Sequence, residues 1–180
     1  MARHLEGLTD HASLRKVTGS ATDAAPVREA VDGAEVVLVT LGTGKSSKAT
    51  TLYSDAARVL LEVLGAQATK PPLLVLTGFG AGESGRYNTP MMRLLFRLFL
   101  KEVYADKTKM ELMIGEAYPQ AEFVRPGRLT DRAATRAYRV VLGLSKGIRI
   151  GPIARADVAD YLVTEAEQRK YLGKSPALTG

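Results

Sequence analysis

The sequence predicts an α/β fold built on a parallel sheet. VVLVTL within Glu35–Leu41 and LLVLT at Leu73–Thr77 are continuous apolar or β-branched runs, and each stops at a glycine, Gly42 and Gly78. Such runs read as strands buried on both faces, the condition of strands inside a parallel sheet. Between them Thr51–Leu64 carries apolar residues at helical spacing. Strand, helix and strand therefore alternate, as a βαβ unit requires.

In chain order, Leu14–Val17 reads as a short strand ending at Gly19. Asp23 is placed as the N-cap of a helix through Val31, with Pro26 in its first turn and Gly33 past its end. The strand Glu35–Leu41 runs into Gly42 and Gly44. In Thr51–Leu64, Leu52, Ala56, Val59, Leu60, Val63 and Leu64 lie on or near one face of an amphipathic helix. The strand Leu73–Thr77 opens into a loop with glycine at 78, 80 and 82. Met91–Tyr104 and Asp106–Ala117 are expected as two helices, Glu122–Val124 as a strand ending at Arg125-Pro126-Gly127, and Ala156–Ala166 as a helix starting near Asp157. A chain of 180 residues without an internal repeat or a long linker fits one domain, residues 1–180.

Composition narrows the chemistry. There is no cysteine, which excludes disulfides, thiol catalysis and thiolate metal sites and agrees with a cytoplasmic protein. The two histidines, His4 and His11, sit near the start, so neither a histidine-rich metal centre nor a Ser-His-Asp triad is expected. The first ten residues hold charges and no apolar core of a signal peptide. Seven Lys/Arg and one acid, Asp131, lie between Arg125 and Arg149. This run reads first as a solvated basic face, then as a contact for an anionic ligand such as a dinucleotide phosphate. Nucleic acid is the weaker reading, because no aromatic platform and no DNA-binding motif accompanies the charge.

The segment MMRLLFRLFLKEVY is apolar almost all round, with Arg93, Arg97 and Lys101 every four residues. It is too short to span a bilayer. It reads as a helix packed on its own protein with a basic stripe in solvent; a dimer helix, a lid and an interfacial membrane helix are the alternatives. Gly42-Thr43-Gly44-Lys45-Ser46 follows a strand but is no P-loop, because the glycine that motif requires falls on Val39. Gly78, Gly80 and Gly82 are no dinucleotide fingerprint, since its third glycine falls on Glu83. The loop is either a flexible connection or a place where backbone approaches a ligand closely. The charges of Asp106, Lys107 and Glu111 read as a helix start with an i,i+4 Lys107–Glu111 pair, or as ligand contacts.

Four segments in succession resemble the atypical short-chain dehydrogenase/reductase proteins, in particular the NAD(P)H-binding NmrA-like group with its flavin- and biliverdin-reductase-like enzymes. They are residues 17–44, LLVLTGFGAGES at 73–84, YADKTKMELMI at 104–114 with FVRPGRLTD at 123–131, and ARADVADYL at 154–162. The resemblance implies a Rossmann-like doubly wound parallel sheet carrying NADP or NAD. It implies cofactor contacts at Leu41, Gly42, Thr77, Gly78, Phe79, Lys107, Pro126 and Gly127, and at Arg3, where an arginine often meets the NADP 2′-phosphate. Tyr104 and Lys107 resemble the Tyr/Lys couple of short-chain dehydrogenases, with two intervening residues where the family has three, and are the catalytic candidates; no metal is implied. Gly19-Ser20 matches a Gly-Asp pair of the family, with serine in place of the acid. The family begins with a strand, a GxxGxxG loop, a helix and a second strand, none of them complete here, so the sheet is expected to be N-terminally incomplete. Residues 36–41 should then form an exposed apolar edge, open to dimerisation, as is the helix 91–104.

The function so implied is NAD(P)H-dependent reduction of a small conjugated or flavin-like acceptor. The rivals are a non-catalytic dinucleotide-sensing regulator of the NmrA type and a degenerate paralogue without a ligand.

Overall fold

The computed structural model describes residues 1–44 and 48–180. Lys45 and Ser46 of the glycine-flanked segment considered above lie outside the described residues. In chain order the elements are α1 (Ala24–Val31), β1 (Val37–Val39), α2 (Leu52–Gly65), β2 (Leu73–Leu76), α3 (Pro90–Leu95), α4 (Lys101–Ala117), β3 (Glu122–Pro126), β4 (Leu129–Thr130), β5 (Arg139–Val141), β6 (Ile153–Ala154), α5 (Arg155–Gln168) and β7 (Ala177–Thr179). The main sheet has the order β1-β2-β3-β7-β5. It is parallel from β1 to β7, and β5 joins β7 antiparallel. β4 and β6 form a separate parallel pair.

The apolar runs became central strands for the expected reason. In β2, Leu73, Leu74 and Val75 are fully buried, and alternate side chains enter two different cores. Leu73 and Val75 join Val31, Leu60, Val63 and Ile114 under α1, α2 and α4. Leu74 joins Val124, Val158, Leu162 and Leu178 under α5. Helices thus cover both faces of a mostly parallel sheet, as in a doubly wound fold. Each fully buried leucine contributes about 1.5–3 kcal/mol relative to exposure. β1 ends the sheet, and Leu38 is 40% exposed, so the expected apolar edge is present among the described residues.

Three elements differ from the expectation. Leu14–Val17 forms no strand; one parallel bridge joins Ala2 and Thr18, with the Ala2 amide donating to Val17 O. A four-residue run with Arg15 and Lys16 at its centre has too little apolar surface to hold a ladder. The helices expected to part near residue 105 do not; α3 passes through a π turn at Phe96–Leu100 into α4, so the irregularity lies earlier. Arg125 is only 2% exposed and does not belong to the solvated basic face, unlike the exposed Arg128, Arg132, Arg136 and Arg139.

β3 also buries a carboxyl. Glu122 is fully buried; its Oε1 accepts from the Tyr161 hydroxyl at 2.6 Å, while its Oε2 has no partner among the described residues. Burial pushes its pKa up to about 8, against the opposing effect of that hydrogen bond.

Candidate functional site

Because β1, β2 and β3 are parallel, their carboxyl ends share one edge of the sheet. In open α/β sheets ligands bind outside that edge. Thr77, Gly78 and Phe79 follow β2, while Pro126 and Gly127 close β3. Two hydrogen bonds stitch the strand ends together: the Thr77 amide donates to Val124 O at 2.9 Å and the Phe79 amide to Pro126 O at 2.8 Å. The glycines then turn the chain back, with φ of +148° at Gly78, +119° at Gly80 and +54° at Gly82. Side chains rarely adopt these angles. A Cβ at Gly78 would stand 3.0 Å from the Tyr104 hydroxyl, and one at Gly80 would strike the Phe96 ring. The loop therefore lies directly on α4 and the π turn.

Lys107 and Tyr104 meet at this loop. Their i,i+3 spacing puts them on one face of α4. Lys107 Nζ donates to Thr77 O at 2.6 Å and lies 5.1 Å from the Tyr104 ring centre and 5.2 Å from that of Tyr53. Burial lowers the Lys107 pKa to about 8, and the nearby Glu111 carboxylate opposes the fall. Burial pushes Tyr104 up to about 12, helped by the Tyr53 phenol. The short-chain pattern, in which a lysine lowers the tyrosine, is not reproduced; burial raises the tyrosine, and the residue poised near neutrality is the lysine. The Tyr104 ring packs on Phe96 at 4.4 Å between centroids.

A buried ionic clip holds the loop down. Glu111 Oε1 accepts from the Thr77 hydroxyl at 2.7 Å and from Arg125 Nε at 3.1 Å. Its Oε2 accepts from Arg125 Nη2 at 2.7 Å. Arg125 also reaches Glu83 in the loop, at 2.9 Å from Nη2, and holds that carboxyl below its ordinary pKa through this bond. The Gly82 amide donates to Thr108 Oγ1 at 3.0 Å. Glu111 is thus engaged by Thr77 and Arg125 rather than by the expected i,i+4 Lys107 pair. Asp106 is likewise not a helix-start charge: it is buried within α4, and its Oδ2 accepts from the Tyr53 amide at 2.8 Å, capping α2 from a distance. Sequence reasoning missed Tyr53, Phe96, Glu83 and Arg125. A readable signal existed for Arg125, because a charge inside the run EFVRP must find a partner if the strand is buried.

The other predicted contacts gather elsewhere on the same edge. A cleft of about 810 Å³ opens between the N-terminal segment and β1, and its lining includes Arg3, Gly19, Ser20, Leu41 and Gly42, with Met110 and Ile114 from α4. Arg3 is exposed. Neither neighbouring helix offers a bare N-terminus to a pyrophosphate: Asp23 caps α1, and Asp106 occupies that of α2. Gly127 has a different duty from the one expected of it. A Cβ there would strike Gly151 O, so its missing side chain admits the chain's own backbone.

An ammonium has three donors. Among the described residues Lys107 donates to Thr77 O alone, so donors remain for a ligand hydroxyl beside glycine backbone.

Comparison with known proteins gives the family and the fold. The model of the NAD(P)H-binding family matches residues 1–169. No curated protein matches the sequence. Among solved structures, a short-chain dehydrogenase/reductase from Veillonella parvula in complex with NADP superposes with a TM-score of 0.80 at 15% identity, covering 99% of this chain and 80% of that one. An anaerobilin reductase from Escherichia coli gives 0.70 at 22% identity, covering 91% and 73%. A candidate NADH-flavin reductase from Streptococcus pneumoniae gives 0.70 at 17%, covering 95% and 83%. At these identities the likeness is one of fold.

Proposed function

The chain belongs to the NAD(P)H-binding family, and from that premise we propose that it is a reductase that uses NADPH or NADH to reduce a small conjugated or flavin-like acceptor. The observation that carries this reading is Lys107, anchored on Thr77 O with its pKa near 8, against the backbone of Gly78. When bound, the dinucleotide supplies the hydride. The chain's own residues position and protonate. Lys107 would donate to a ribose hydroxyl of the dinucleotide. The backbone of Gly78 and Phe79, joined to Pro126, would help to hold its nicotinamide end. Tyr104 stays a neutral phenol and gives a hydrogen bond to the acceptor, while the Lys107 ammonium, with a pKa near the working pH, is the better reservoir for a proton. Arg3, Leu41 and Gly42 lie along the cleft on the adenosine side, with Arg3 as the contact that would favour NADP over NAD.

The acceptor is drawn from the neighbours' descriptions, since one is an anaerobilin reductase and another is described as an NADH-flavin reductase. NADPH oxidation, followed across a panel of flavins, bilins and quinones, tests the reading. Consumption with at least one acceptor, reduced in Lys107→Met, is the expected result. One observation favours the dinucleotide-sensing alternative: burial raises the Tyr104 pKa to about 12, so the phenol gives up its proton reluctantly. NADP binding without NADPH consumption across the whole panel would select that alternative.

A further inference from the structure

Among the described residues, one helix face has no partner. On α3 and the π turn, Met91 is 76% exposed, Leu98 62% and Phe99 60%, and Leu94 and Leu95 are also exposed. Monomeric proteins seldom leave so many large apolar side chains adjacent on one element. Arg93, Arg97 and Lys101 are exposed on the same segment at four-residue spacing, which places them along one side of the helix. No acid occurs between Asn88 and Lys101. The inward side of the segment is occupied by Phe96 on Tyr104, so the apolar face points away from the protein.

We propose that this face docks the protein on an anionic lipid bilayer surface, with Met91, Leu94, Leu98 and Phe99 entering the headgroup–acyl boundary and Arg93, Arg97 and Lys101 meeting lipid phosphates. An apolar helix face bordered by cations and free of acids has the composition of an interfacial helix. Charge complementarity decides between this occupant and a second copy of the chain. A symmetric pairing through the helix would bring two sets of three cations together, with one acid per chain, Glu102 beside Lys101, to offset them. An anionic leaflet supplies the missing charge, and each cation near it contributes about fivefold in affinity. The attachment is peripheral, since no helix among the described residues is long and apolar enough to cross a membrane. The proposal stands apart from the reading of the site.

Sedimentation of the purified chain with vesicles tests it, using phosphatidylcholine alone and phosphatidylcholine mixed with phosphatidylglycerol. The chain should sediment with the mixed vesicles, far less with the neutral ones, and less as salt rises. Leu98→Glu with Phe99→Glu should abolish sedimentation, and Arg93→Gln with Arg97→Gln should weaken it about 30-fold. Both double variants change exposed residues, so unaltered thermal melting should accompany the loss. Failure to sediment with the mixed vesicles would overturn the proposal. So would binding indifferent to Leu98→Glu/Phe99→Glu, or a dimer in light scattering that this variant dissociates without any vesicle binding by the parent.

Discussion

The two halves of the sheet's carboxyl edge are built differently. Around β2, β3 and α4 the polar groups named above are paired and mostly buried: Arg125 with Glu111 and Glu83, Thr77 with Glu111, Lys107 with Thr77 O. Around β1 and the first twenty residues, one backbone bridge faces an open cleft, and Arg3 is exposed. The first half is preorganised, as a site that must place reacting atoms has to be. The second can bind but holds little in place. Substitutions that break the clip or strain the glycine loop should therefore cost stability and function together, and those in the open half should cost affinity alone.

The largest effect is expected at the clip. Arg125→Ala leaves the buried Glu111 carboxylate without its cation, and the loss of one partner from a buried pair typically costs about 3–5 kcal/mol. Urea unfolding should show it; a loss below about 1 kcal/mol would mean that the clip is not what holds the loop. Gly80→Ala comes next. Its φ of +119° and the Phe96 ring at the Cβ position should cost about 1–3 kcal/mol, with a matching drop in NADPH oxidation, because the loop must move off Tyr104.

Glu122→Gln probes the amino end of β3, away from that edge, through pH. Burial holds the native carboxyl's pKa near 8, above the ordinary 4.5 of a glutamate, so between those pH values the folded state holds a proton that the unfolded chain has released. That stabilising contribution is complete below about pH 4.5 and is lost as pH rises through 8. The variant should flatten this slope in melting temperature and gain stability relative to the parent above neutrality. An unchanged slope would place the dependence elsewhere. The smallest effect is expected in the open half: Arg3→Ala should change stability by no more than about 0.5 kcal/mol while weakening NADPH more than NADH in calorimetry. Equal weakening of both would remove Arg3 from the 2′-phosphate.

The packed half was also the more legible half of the sequence. LLVLT, expected as a doubly buried strand over 73–77, is β2 at Leu73–Leu76, because a continuous apolar run has few other stable fates. The α2 helix was legible from its apolar spacing, and the exposed edge at β1 from the resemblance, whose first strands this chain does not show complete. β4, β5, β6 and β7 were not; two or three residues carry no usable period. Lys107 and Tyr104 were picked out by resemblance, and the structure brings both against Gly78. The clip was hidden because charges scattered over Glu83, Glu111 and Arg125 look like solvent-facing residues until the fold carries them inward. Thr77 and Gly127 show the same limit. Their positions were anticipated, but the Thr77 hydroxyl is spent on Glu111 and the space at Gly127 on Gly151 O.

The central claim is that Lys107 holds a dinucleotide at the packed half. Its most direct test is a fluorescence titration of NADPH into the parent chain and into Lys107→Met, with thermal melting alongside. The parent should bind, and the variant should bind at least about tenfold more weakly, the worth of a hydrogen bond from a charged donor. Melting should not fall, because the substitution removes a cation whose burial lowers its pKa. Equal affinity in the two proteins, or no binding by the parent, would contradict the account.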